Sequence, residues 1–341
     1  MKLSLKQAWA IARKELGAYL SSPIALIFVG VFVGVTLFTF FWVETFFARN
    51  IADVRPLFQW MPLLLVFLVS AMTMRQWSEE QRSGTLEVLF TLPVSRVQLV
   101  LGKFIAVMAL VALSLALTLF LPITVDALGD LDWGPVVGGY LAALLLGAAY
   151  VSIGLFVSSR TDNQIVALIV SVLICGAFYM VGAGAGSNLA YSEILRAIGT
   201  DSRFESIERG VIDLRDLVYY LSLTVLFLVL NVVSLDVKRW SRGLRTLAYR
   251  RNAILSVVLI AANLIALNAW LFPVHTLRAD LTADKEYSLS DTTRELINNL
   301  QEPLLIRGYF SERTHPLLSP LVPTIRDLMR EYEVLSGGKI A

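Results

Sequence analysis

Chemistry at a protein site needs nucleophiles, imidazoles, carboxylates or thiolates brought together, and this 341-residue sequence holds few candidates. His275 and His315 are its two histidines, and neither belongs to a cluster with metal-ligand spacing. Cys175, the single cysteine, lies inside an apolar run. That excludes an intramolecular disulfide and a multi-cysteine metal site, and a small buried apolar residue is the simplest reading. Asp126, Asp130 and Asp132 could hold a cation, though a solvated loop explains them more simply. Gly182, Gly184 and Gly186 imitate a dinucleotide loop but end an apolar run instead of following a strand, so close helix packing or unwinding is the expected use. No Ser/His/Asp set and no paired carboxylates stand out, so neither catalysis nor a bound metal or cofactor is expected on this chain.

The stretch that does carry a pattern is Arg75 to Lys103, RQWSEEQRSGTLEVLFTLPVSRVQLVLGK. Ser78 followed by Gln81 has the form of a capping box, with Glu79 and Glu80 in the first turn where carboxylates complement the helix dipole. Gly84 breaks or bends that helix. Leu86, Leu89 and Phe90 then form an apolar face beside Glu87, and Pro93 stops the segment. Ser95 with Gln98 forms a second capping box that starts the next helix. The expected product is a short helix clamped between longer ones and offering apolar and acidic groups to a protein partner.

The elements that must hold this loop are written in the composition. Apolar residues make up 56% of the chain and charged residues 16%, against roughly a quarter charged in an average soluble domain. A large soluble core would break such residues into periodic faces, whereas here they form seven long runs, at about Ile24 to Val43, Leu57 to Met74, Phe104 to Val125, Val136 to Val157, Ile165 to Ala185, Leu217 to Leu235 and Ala253 to Phe272. Seven transmembrane helices put the termini on opposite sides. Lys238, Arg239, Arg242, Arg245, Arg250 and Arg251 lie between the sixth and seventh runs, and the three aspartates without Lys or Arg lie between the third and fourth. The positive-inside rule therefore places the N-terminus and the Arg75 to Lys103 loop in the cytoplasm and everything after Phe272 outside. Leu3 to Leu20, with Leu5, Trp9, Ala12, Leu16 and Tyr19 at spacings of three and four, reads as an amphipathic helix in the cytoplasmic interface, and nothing in it looks like a cleaved signal peptide. A net charge of +2, with basic residues at the ends of apolar runs, gives no reason to expect nucleic-acid binding. Gly30 and Gly34 form G-x-x-x-G in the first run, a possible dimer-packing face.

Glu80, Gly84, Thr85, Leu86, Glu87, Pro93, Gly102 and Lys103 resemble the ABC-2 type permease family, in which the segment after the second span has the form E-x-x-x-G-T-L-E followed by a Pro and then Gly-Lys. The resemblance covers residues 1 to 240, with Phe204 to Leu217 similar to that family's extracytoplasmic re-entrant element. It implies that the loop is a coupling helix inserted into a cytoplasmic ABC ATPase subunit, through Glu79, Glu80, Arg82, Gly84, Thr85, Leu86, Glu87, Leu89, Phe90 and Pro93. It also implies Mg-ATP on that partner, none on this chain, and a homodimer or pseudo-dimer of permeases in the bacterial cytoplasmic (inner) membrane. The seventh run and the sequence from Arg278 to Ser290 are similar to the start of the auxiliary subunit found with gliding-motility-type ABC permeases, which implies a fusion of the two.

The expected architecture is thus an α-helical polytopic membrane protein: an interfacial helix over residues 1–22, a six-helix permease core over 23–240 with a coupling loop at 75–103 and an extracytoplasmic element at 187–216, a basic cytoplasmic linker and seventh transmembrane helix over 241–272, and the start of an extracytoplasmic α/β domain over 273–341. In that last segment Ser290 caps a helix from Asp291 to Leu300, Leu304 to Phe310 reads as a strand, and Leu321 to Leu335 as a second helix. About seventy residues with one strand bury little core, so this domain is expected to be incomplete. Leu335-Ser-Gly-Gly-Lys339 is one letter from the ABC ATPase signature, but without a Walker A loop it has no phosphate to read, and a helix ending on Gly337-Gly338 explains it. The function expected is that of a non-catalytic permease subunit coupling a partner's ATP hydrolysis to export or to force transmission across the membrane. The alternatives are a non-transporting mechanical or assembly component and a secondary transporter, the latter disfavoured because no ionisable group stands at mid-depth in the apolar runs.

Overall fold

A computed structural model describes residues 5–49, 52–183, 197–238, 247–272, 278–283, 291–300 and 302–309 as continuous stretches, with isolated positions between and beyond them. His275, His315, Gly184, Gly186, Arg239, Arg242, Arg245, Ser290, Leu335, Gly337, Gly338, Lys339 and most of the expected helix over 321–335 lie outside the described residues.

Helix α1 (Leu5–Leu20) precedes α2 (Pro23–Phe38), which Pro23 opens at a position where its missing N–H costs nothing and which runs on into a π-turn over Thr39–Val43. Short helices α3 (Phe46–Arg49) and α4 (Arg55–Gln59) lead to α5 (Met61–Thr73). The loop that follows holds α6 (Ser78–Arg82) and α7 (Thr85–Thr91). Next come α8 (Arg96–Ala116), α9 (Phe120–Leu128), α10 (Trp133–Ser158) and α11 (Gln164–Ala183). A short α12 (Asp201–Glu208) and strand β1 (Val211–Asp213) precede α13 (Leu214–Val237). The chain continues with α14 (Leu247–Leu271), strand β2 (Arg278–Asp280) and α15 (Asp291–Asn298).

Six of these segments are long and apolar enough to cross a membrane: Ala25–Ala48, Arg96–Leu128, Trp133–Ser158, Gln164–Gly182, Leu214–Val237 and Ala248–Leu271. The run expected over Leu57 to Met74 is not one continuous helix. It breaks at Trp60, whose indole Nε1 donates to Glu44 Oε1 at 2.8 Å, and Pro62, lacking an N–H, sits in the first turn of α5. The 13 residues of α5 reach only about 20 Å, short of the ~30 Å hydrocarbon layer. Most of α5 is buried between α2, α10 and α11, which explains why an apolar run of this kind reads as a span from sequence.

Helix α10 is the centre of the bundle, buried along most of its length and packed against α5, α8, α11, α12 and α13. Helix α1 lies along α8, with Ala8, Ala12, Leu16 and Tyr19 inward, and of the expected face Trp9 turns outward instead. A Cβ on Gly102 of α8 would stand 2.6 Å from Ile11, so glycine is what lets these two helices meet. Helix α14 touches the bundle chiefly through α13. Among the described residues after α14, the expected strand over 304–310 is reduced to one parallel bridge between Leu304 and Ile340, and a small cluster forms around Ile297 and Ile340.

Candidate functional site

The patterned loop is anchored before it is displayed. Ser78 does not cap α6, for its hydroxyl donates to the Met74 carbonyl and the N-cap position is Trp77. The cap comes from another helix: Ser158 Oγ, at the end of α10, accepts from Trp77 N at 3.1 Å and Ser78 N at 3.2 Å and donates to Met74 O at 3.0 Å. Gln81 returns the contact, its Nε2 donating to the carbonyls of Ser158 and Ser159, both at 3.2 Å. Two helix ends thus satisfy each other's free backbone groups. Lys238, just beyond α13, donates to Gln81 Oε1, and Ser159 Oγ donates to Ser234 Oγ at 2.8 Å.

A buried charge cluster secures the other side. Lys103 of α8 is 2% exposed, and its Nζ lies 2.8 Å from Glu80 Oε1 and 3.5 Å from Glu15 Oε1. The same ammonium donates to Gln76 O at 2.9 Å and stands 4.8 Å over the Trp77 ring. Burial raises the Glu80 pKa above the usual carboxylate range, with Lys103 opposing the shift. Tyr19 of α1 donates to Met72 O at 2.5 Å and accepts from Gln76 Nε2. Three segments, α1, α6 and α8, are therefore joined through one lysine.

Beyond this anchor the chain turns at Gly84, whose φ of 73° is left-handed and favours glycine. Leu86 of α7 is buried, and Leu89 and Phe90 pack against the core. The expected apolar face therefore looks inward. What α7 presents outward is Thr85, Glu87, Val88, Thr91 and Leu92, with Val88 62% exposed. Glu79 pairs with Arg75 at 3.0 Å on the surface, beside exposed Arg82, Gly84 and Pro93. The second capping box is present: Gln98 N donates to Ser95 Oγ at 3.2 Å and Ser95 N to Gln98 Oε1 at 2.8 Å. Lys103 and Val88 were the residues that spacing alone passed over. The signal for Lys103 was available, since an ionisable group inside an apolar helix requires a partner, but taking the span to begin at Phe104 hid it; α8 begins at Arg96.

At the opposite end of the bundle, β1 and β2 pair antiparallel, Val211 with Asp280, Ile212 with Ala279 and Asp213 with Arg278. The segment after β2 continues across the ends of α10 and α12. Leu281 N donates to Gly210 O at 2.9 Å, and Ala283 N to Asp132 Oδ1 at 3.3 Å. Arg55 donates to Tyr287 OH at 3.0 Å, and Arg209 lies 5.8 Å over the Tyr287 ring. Asp132 also caps α10 through Gly134 N at 2.8 Å, and Asp126 accepts from the Trp133 indole at 3.2 Å. Asp126 and Asp132 thus serve indole and backbone donors, and no group of metal-ligating side chains occurs among the described residues.

A family model for ABC-2 family transporter proteins matches residues 9–277. The chain belongs to the ABC-2 transporter family. The match takes in both anchors of the 75–95 loop and runs through α14, beyond the expected end of the permease core at residue 240. A domain of unknown function (DUF7088) matches residues 283–341. No curated protein matches the chain significantly. An ABC-2 permease is a multi-pass membrane subunit of an ABC transporter rather than an enzyme, and the family generally works with a cytoplasmic ATPase partner.

Proposed function

We propose that this chain couples ATP hydrolysis on a separate ABC ATPase subunit to export or force transmission across the membrane, with α6 and α7 as the coupling element. The observation that carries this reading is the contrast within the loop. Its inner side is tied to α1, α8, α10 and α13 through Lys103, Ser158 and Gln81, while its outer side presents Glu87, Val88 and Leu92 with Glu79 and Arg82 beside them. A rigid element exposing apolar and charged groups is what a partner cleft can grip and move. Leu86, Leu89, Phe90 and Glu80 then act as the element's inner fixings, and Gly84 sets its turn. Mg-ATP resides on the partner.

In this reading the loop end of the bundle and the N-terminus are cytoplasmic and β1–β2 extracytoplasmic, in the bacterial inner membrane. The α4–α5 segment completes a seven-pass topology as a broken span. Two permeases associate, and the Gly30/Gly34 face of α2 suits this, because both glycines are exposed and a Cβ on either would meet nothing within 4 Å. The force-transmitting variant is favoured by the segment from Arg278 to Tyr287, which fastens the C-terminal domain onto α10 and α12 and is the part similar to a gliding-motility-type auxiliary subunit.

The test is co-reconstitution in liposomes with a cognate ABC ATPase subunit. ATP-dependent solute accumulation supports export, and ATP-dependent displacement of the C-terminal domain without solute flux supports the mechanical variant. Flux driven by an ion gradient without ATP would overturn both in favour of a secondary transporter.

A further inference from the structure

The side of the bundle covered by α14 holds a cavity of about 520 Å³ that the coupling reading does not use. It lies between α11, α13 and α14 in the half of the membrane-crossing region nearer β1–β2, and Phe178, Leu223, Leu226, Leu264 and Ile265 give it an apolar wall. Its size falls within the roughly 300–1,000 Å³ of ordinary ligand pockets. Two polar groups on its wall already satisfy each other, Asn268 Nδ2 of α14 donating to Ser222 Oγ of α13 at 2.9 Å. The cationic group is Arg203 of α12, at the end nearest β1–β2, flanked by the rings of Tyr219 at 5.5 Å and Phe272 at 6.0 Å.

The donor balance at Arg203 points to the ligand. Its guanidinium donates to Asp216 Oδ1 at 2.6 Å, while Arg215 pairs with Asp213 Oδ2 at 2.9 Å and only approaches the Asp216 oxygen, at 3.8 Å. Arg203 Nε is buried with no acceptor among the described residues. Guanidinium offers five donors in a planar fork suited to phosphate. A hydrated anion has no reason to enter an apolar slot, and a purely apolar molecule makes no use of the arginine. A molecule with a long hydrocarbon chain and a phosphate answers both ends, and Arg203 stands beside aromatic rings as groups at the membrane interface do.

We propose that this cavity binds a glycerophospholipid from the leaflet nearer β1–β2, with one acyl chain between α11, α13 and α14 and its phosphate at Arg203. The lipid fills the seam between α14 and the bundle, which among described side chains is bridged by the Asn268–Ser222 hydrogen bond. This assignment is independent of the ATPase partner.

The test uses the full chain purified in mild detergent, with bound phosphorus and native mass measured after extensive washing. Ala261 and Ala269 line the cavity on α14, so A261F with A269F fills it, while L259F, at an exposed position turned about 120° from Ile265, is the control. Wild type and L259F retain a single phospholipid, and the filled variant loses it. Equal retention by the filled variant overturns the proposal, as does a retained lipid without phosphate or a polyprenyl phosphate in its place. Should the filled variant fail to fold, photo-leucine decides in the otherwise unaltered chain: Leu264 lines the cavity and Leu267 is exposed. A wash-resistant glycerophospholipid adduct at Leu264 alone supports the site, and its absence at Leu264 overturns it.

Discussion

Lys103 concentrates the energetics of the loop anchor in one side chain. Removing one partner of a buried ion pair leaves the other charge unpaired, at a cost of roughly 3–5 kcal/mol. Lys103→Met leaves Glu80 and Glu15 facing each other without the ammonium that separates them, so thermal unfolding in detergent should fall well below wild type. Lys103→Met combined with Glu80→Leu removes both charges and should recover much of the loss; no recovery would show that the pair is not what holds α6. A different balance governs Glu208 in α12. Burial, first, and the nearby Glu205 push its pKa well above the usual carboxylate range, against Arg209 and Arg55. One of its oxygens is buried without a partner among the described residues. A raised folded-state pKa means the folded protein holds the proton more tightly, so stability rises as pH falls from that raised value toward the ordinary one. Glu208→Gln should flatten this pH dependence of unfolding and leave the variant at least as stable as wild type near neutral pH. Such pairings were only partly legible in sequence. The letters of Glu15 and Lys103 were there, but that they meet depends on α1 and α8 approaching at Gly102, which no local pattern states.

At the scale of elements, the division of α7 into inner and outer faces separates folding from partner binding. Val88→Asp puts a charge where the helix is exposed, so the protein should keep its unfolding temperature and lose the partner ATPase in co-purification. Leu86→Asp buries an unpaired carboxylate and should lower stability outright. If both variants behave alike, the faces are misassigned. The strap after β2 makes an equally local prediction. A Cβ on Gly134 would stand 2.4 Å from the Leu281 carbonyl oxygen and 2.7 Å from two further backbone atoms, none of which can move alone. Gly134→Ala should therefore lift the strap and speed tryptic cleavage after Lys285, and unchanged cleavage would contradict the packing. The existence of α1, α6, α7 and the long helices could be read from periodicity, caps and Gly84. The break in α4–α5 could not be placed, because Trp60 gains its role from Glu44 in another helix. The cap of α6 reads as Ser78 for the same kind of reason: a local box is visible in sequence, and an acceptor on Ser158, eighty residues away, is not.

For the molecule as a whole, composition and apolar runs sufficed for the class, and the family match over residues 9–277 agrees with it. Where the permease gives way to the C-terminal domain was less legible, since α14 is included in the family region and the strap from Arg278 to Tyr287 packs on both sides of that boundary. Association of two permeases through α2 predicts that Gly30→Leu with Gly34→Leu, two changes that meet nothing within the monomer, shifts the detergent-solubilised protein toward monomer in light scattering without altering its fold. An unchanged oligomer would move the interface elsewhere. The central claim, that the outer face of α7 seats a separate ATPase, is tested most directly by a photo-crosslinking residue at Val88 in membranes containing both subunits. The account predicts a crosslink to the ATPase from Val88 and none from the inward Leu86 position. No ATPase adduct at Val88, in membranes where the two subunits co-purify, would contradict it.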